Sequence, residues 1–173
     1  MKAVYYQYAK YLKSDGKVEE AMSYFFKSGN HGFEIPRMLS QSPDLMHLHL
    51  EKAKDPALRN WWAHNCEARG DLETACGYYK ESNDINSFVR VLCQMDKLDE
   101  ATAVAEESGD SSACFFLARQ FEHSDEVESA IHWYSKAKCF GHAVRLAKER
   151  EMYQELVRLA LLGNKDLIRN IAM

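Results

Sequence analysis

The chain has 173 residues, 46% of them hydrophobic, which is enough for one or two domains with a sizeable core. Its 22 basic residues against 26 acidic ones give a formal charge of −4, and that argues against nucleic acid or an anionic membrane surface as the main partner. With 8 Gly, 3 Pro, no apolar run near the ~18 residues of a membrane span and no signal-peptide core at the start, a soluble all-helical chain is expected.

In chain order, the first hairpin centres on Gly16 in Ser14-Asp15-Gly16-Lys17. Ala9 and Leu12 precede this anchor, and Ala21 and Tyr24 follow it on a second amphipathic stretch. A degenerate copy spans about residues 30–56, with its turn near Pro43. Leu39 and Leu48 keep its columns, while Glu51 and Lys52 spoil the aromatic position. The pattern returns around Gly70 with Ala63, Cys66, Ala75 and Tyr78, and around Asp96 with Val89, Leu92, Ala101 and Val104. Around Asp125 it is carried by Ala118, Phe121, Ala130 and Trp133, and around Glu151 by Val144, Ala147, Leu156 and Leu159.

The anchors after Gly70 stand 26 to 29 residues apart. Each unit reads as two short helices of about ten residues with a polar turn between them. Alanine in the second helix permits close approach, and the bulky residue after it fills the gap to the next unit. One such hairpin cannot bury its apolar stripe alone, so the units must stack. Asp71, Asp96 and Ser124 or Asp125 are expected as N-caps, and Ser108-Gly109-Asp110-Ser111 as a glycine stop followed by a new cap. The expected fold is an all-α, right-handed α-solenoid of about six hairpins, with residues 1–173 forming one solenoid segment. At the end, Leu167, Ile168 and Ile171 make an uncovered apolar stripe, as expected of a piece cut from a longer solenoid.

Chemical motifs are sparse. Neither G-x-G-x-x-G nor G-x-x-x-x-G-K-[ST] occurs, so no cofactor is expected. His47 and His49 are two apart on a helix, as are His64 and Cys66, so neither pair shares a ligand face. Cys66, Cys76, Cys93, Cys114 and Cys139 are an odd set without C-x-x-C, read as free thiols of a reducing compartment. Of the adjacent aromatics Trp61-Trp62 and Phe115-Phe116, one of each pair is expected to pack inward.

One column is chemically distinctive. Six positions before each anchor stand Lys10, Arg37, His64, Arg90, Arg119 and Arg145. Two readings follow. Each cation pairs with a carboxylate of an adjacent repeat, or the column forms a positive stripe for an acidic helix or tail.

The columns of small residue, turn, alanine and aromatic resemble a tetratricopeptide repeat, with a shorter period than that family's ~34 and no closing proline. The non-repeat text resembles one family more narrowly. Residues 5–13 (YYQYAKYLK), 31–39 (HGFEIPRML), 59–63 (RNWWA), 117–122 (LARQFE), 126–134 (EVESAIHWY), 143–149 (AVRLAKE) and 159–162 (LALL) are similar to the C-terminal solenoid of the one-hundred-and-forty-kilodalton-type core subunits of intraflagellar transport complex A. This resemblance implies a non-enzymatic scaffold segment that contacts other subunits of complex A in the cilium, the ciliary base and the cytoplasm. It further implies a part in retrograde transport and in ciliary entry of membrane proteins, with no catalytic residues to carry over. The alternative is a freestanding peptide-binding adaptor of the co-chaperone type. The clamp that such a receptor needs is incomplete here, because Asn stands only at Asn60 and Asn86 near the required places.

Overall fold

The computed structural model describes residues 1–39, residue 50 and residues 55–162. Among the described residues the chain is all-helical, with α1 Lys2–Ser14, α2 Val18–Ser28, α3 His31–Leu39, α4 Pro56–Ala68, α5 Leu72–Ser82 and α6 Ile85–Gln94. These are followed by α7 Leu98–Ser108, α8 Ser111–His123, α9 Val127–Lys136, α10 Phe140–Glu149 and α11 Tyr153–Leu162. The anchor near Pro43, with Leu48, Glu51, Lys52, His47 and His49, lies outside the described residues, as does the stripe of Leu167, Ile168 and Ile171.

The anchors are the points where the backbone turns left-handed. Gly16, Gly70, Asp96, Asp125 and Glu151 have φ between 56° and 83°. In every described copy the residue after the anchor donates its N–H to the carbonyl four positions before the anchor. Lys17 bonds Leu12, Asp71 bonds Cys66, Lys97 bonds Leu92, Glu126 bonds Phe121, and Met152 bonds Ala147, at 2.8–3.0 Å. The anchor's own N–H reaches back three residues, as Gly70 does to Glu67 and Asp125 to Glu122. This pair of bonds is a Schellman closure, and it satisfies carbonyls that a helix end otherwise leaves open.

That geometry corrects the expected caps. Asp71 is the N-cap of α5, accepting from the Thr74 N–H at 3.2 Å. Asp96 and Asp125, however, occupy the left-handed position, Ser124 is the C-cap of α8, and Lys97 and Glu126 are the N-caps of α7 and α9. The Schellman closure needs a positive-φ residue first, and aspartate tolerates that conformation better than most residues. Gly109 and Asp110 behave as expected, Gly109 as a left-handed stop and Asp110 accepting from the Ala113 N–H at 2.8 Å.

The small columns form the core. Ala9, Ala63, Val89 and Ala118 on the first helices are fully buried, as are Ala21, Ala75, Ala101 and Ala130 on the second. Leu12, Cys66, Leu92 and Phe121 are buried above them. The expected bulky column is only half-buried at Tyr24, Tyr78 and Val104, and buried at Trp133 and Leu159. In the first four described copies a fully buried column lies one residue further on, at Phe25, Tyr79, Ala105 and Tyr134.

Two compact units are present, Met1–Asn83 and Asp84–Met173. In the first, α1 packs on α2 and α4 on α5, and α3 contacts both α2 and α4. In the second, α6 packs on α7, α8 on α9 and α10 on α11, and each hairpin is joined to the next. All five cysteines are free. Burial raises the thiol pKa of Cys66, Cys93 and Cys114, that of Cys93 to about 11.

Candidate functional site

The cationic column lies on first helices, and the structure gives its members different surroundings. Lys10 on α1 is exposed and places its ammonium 4.7 Å from the centre of the Tyr6 ring. The Tyr6 hydroxyl donates to the buried Glu34 on α3 at 2.8 Å, linking α1 to α3. His64 stacks edge-on against Tyr79, its Nδ1 2.7 Å from the phenolic oxygen, while the Tyr79 hydroxyl donates to Glu67 at 2.7 Å. Arg37 is exposed, Arg90 is half-buried, and both have interaction partners.

Arg145 on α10 is tied down from two sides. Its Nη2 donates to Glu122 on α8 at 2.6 Å and its Nη1 to Glu149 on its own helix at 2.9 Å. The Tyr134 hydroxyl on α9 donates to the other Glu122 oxygen at 2.5 Å. These bonds from Tyr134 and Arg145 hold the Glu122 carboxyl below its ordinary pKa. Burial, and then the Glu122 bond, push the Tyr134 phenol up to about 12. Arg150 pairs with Asp125 in the α8–α9 turn, and Lys136 with Glu106 on α7, so further ion pairs cross between hairpins. At Arg145 the structure therefore realises the inter-repeat pairing.

Arg119 is different. It is exposed on α8 and makes no hydrogen bond or ion pair among the described residues. It lines a cleft of about 510 Å³ with Phe115, Glu122, His123, Tyr134, His142 and Arg145. His142 stacks on Tyr134 at 5.1 Å, and Phe115 meets both rings edge-on. A second cleft of about 440 Å³ shares Phe115 and Arg119 and is otherwise lined by Asn86, Ser111, Ser112, Phe116 and Cys139. Phe115 and Phe116 are both half-buried, whereas Trp62 is buried and Trp61 only half-buried.

Sequence reading found the cations but not their tyrosine–glutamate partners. Glu67 and Glu122 stand three residues before their anchors, and Tyr79 and Tyr134 nine after. Only two of the described copies carry this pair. The others have Lys13 with Phe25, Cys93 with Ala105, and Lys148 with Ala160 at those places. Among the described residues no group of His, Cys, Asp and Glu is arranged to hold a metal ion. Nor is any described helix long and apolar enough to cross a membrane.

A recurrent helical hairpin, closed by the same left-handed turn and packed through alanine columns, defines a tetratricopeptide-like helical-repeat scaffold. A family model for the TPR domain of the intraflagellar transport 140 and 172 proteins matches residues 1–172. The chain belongs to that family, and is a repeat domain of the intraflagellar transport type.

Proposed function

We propose that this chain is a non-enzymatic scaffold segment of an intraflagellar transport complex A subunit, contacting neighbouring subunits through its helical surfaces. The observation that carries the reading is the family match over residues 1–172, combined with sequence similarity to the core-subunit solenoid along most of the chain. Repeat architecture suits such a role, because stacked hairpins offer a long surface whose side chains vary while the alanine frame stays constant. In this reading the segment works in the cilium and at its base, supporting retrograde transport and the ciliary entry of membrane proteins. Of its cationic column, Lys10, Arg37, His64, Arg90, Arg119 and Arg145, Arg145 serves inter-repeat pairing and Arg119 partner contact.

The test is made in ciliated cells that carry a deletion of this segment. Return of transport particles from the ciliary tip should fail, and membrane proteins should be under-represented in the cilium. Normal return traffic and normal membrane-protein content would overturn the reading.

A further inference from the structure

We infer that Arg119 is the centre of a binding groove for an extended acidic protein segment, in which a Glu or Asp carboxylate of that segment pairs with its guanidinium. The inference rests on the scaffold reading only for its choice of a protein as the occupant. The groove itself is made by the two clefts that share Phe115 and Arg119. Its walls come from α6, α8 and α10, the first helices of three successive hairpins, together with Tyr134 of α9, all within the second compact unit.

Charge decides the ligand class. Arg145 is already neutralised by Glu122 and Glu149, and Glu122 is itself held by Tyr134. Among the described residues, Arg119 is left with an unused planar fork of donors at the mouth of a cleft floored by aromatic rings. One free guanidinium matches one carboxylate in bidentate fashion. A phosphate dianion would bring a second negative charge close to Glu122, with no second free arginine among the described lining residues to meet it. The Phe115, Tyr134 and His142 rings form an apolar bed for the side-chain stem next to the carboxylate. On the other side of Arg119, Asn86 and Ser112 offer side-chain hydrogen-bonding groups to a passing peptide backbone. Two clefts meet at Phe115 and Arg119, so an extended segment that crosses them fits better than a free small acid that fills one.

The probes are short fluorescein-labelled peptides, one rich in glutamate, its glutamine counterpart, and one carrying phosphoserine, titrated against the intact chain and followed by anisotropy. The glutamate peptide should bind, more weakly as salt is raised, and the glutamine peptide should not. Arg119→Glu should weaken binding at least about tenfold, with Arg119→Lys falling between it and the native chain. Melting should be unchanged in both variants, since Arg119 has no hydrogen-bond or ion-pair partner among the described residues. Hydrogen exchange of the native chain with bound peptide should gain protection in α8 and α10, a readout independent of any substitution. Failure of the glutamate peptide to bind, equal binding of the glutamine peptide, preference for the phosphoserine peptide, or indifference to Arg119→Glu would each overturn the inference. If the peptides fail while the chain still captures complex A subunits, the groove falls and the scaffold reading stands.

Discussion

Tyr134 on α9 donates its hydroxyl to Glu122 on α8 at 2.5 Å, and so closes the hairpin from inside while Arg145 holds the same carboxylate from the next hairpin. A buried phenol, a carboxylate and an arginine thus join three helices. Tyr79 and Glu67 make the same closure in the first compact unit, where His64, on the same helix as Glu67, lies against the Tyr79 phenol.

Removing the hydroxyl leaves Glu122 short of a donor. Tyr134→Phe should lower stability by about 1–2 kcal/mol, measured by urea unfolding at neutral pH. Because the folded Glu122 pKa is depressed, its contribution is present above the ordinary carboxyl value and is lost as pH falls through the lower folded value. The stability gap between native chain and variant should therefore shrink on acidification. A gap that widens in acid would contradict the assignment.

Tyr134 also makes an alkaline prediction. Its phenol is raised to about 12 from an unfolded value near 10. The folded state then keeps a proton that the unfolded state releases, so this group's stabilisation is complete below the unfolded pKa and disappears as pH rises through the folded one. Difference absorbance of native chain against Tyr134→Phe should show this phenol ionising near pH 12, well after an exposed tyrosine.

The turn anchors give a pair of opposite effects. Glu151 has a φ of 56°, and Glu151→Gly should raise stability by about 1 kcal/mol by relieving left-handed strain. Gly70 has a φ of 83° with open space where a Cβ would stand, so Gly70→Ala should cost about 1–2 kcal/mol from the backbone alone. Thermal melting of both variants decides it, and equal shifts of the same sign would refute the turn reading.

Alanine columns set where bulk is forbidden. Ala130→Trp puts a ring at a fully buried contact in the α8–α9 hairpin and should cost about 1–3 kcal/mol. Hydrogen exchange should rise in α8–α10 and stay low in α1 and α2, because repeat stability is summed over neighbours.

Much of this frame was legible in the sequence because the same physical demand recurs in register. A left-handed turn wants Gly or Asp, and a close helix crossing wants Ala, so Gly16, Gly70, Asp96, Asp125 and the alanines five residues on stood out. The caps slipped by one residue at Asp96 and Asp125 because aspartate serves both an N-cap and a left-handed turn, and local sequence does not separate the two. The buried column at Phe25, Tyr79, Ala105 and Tyr134 was hidden by its mixed sizes. The cations were visible as a column, but Tyr79 beside His64 and Glu122 beside Arg145 belong to other helices. No local pattern tells that Arg145 meets Glu122 while Arg119 stays unpaired among the described residues.

The central claim, a scaffold segment of intraflagellar transport complex A, is tested most directly by affinity capture from ciliated cells with the intact chain as bait, followed by mass spectrometry. The account predicts recovery of the other complex A subunits in preference to chaperones. Recovery of chaperones in place of complex A subunits would contradict it.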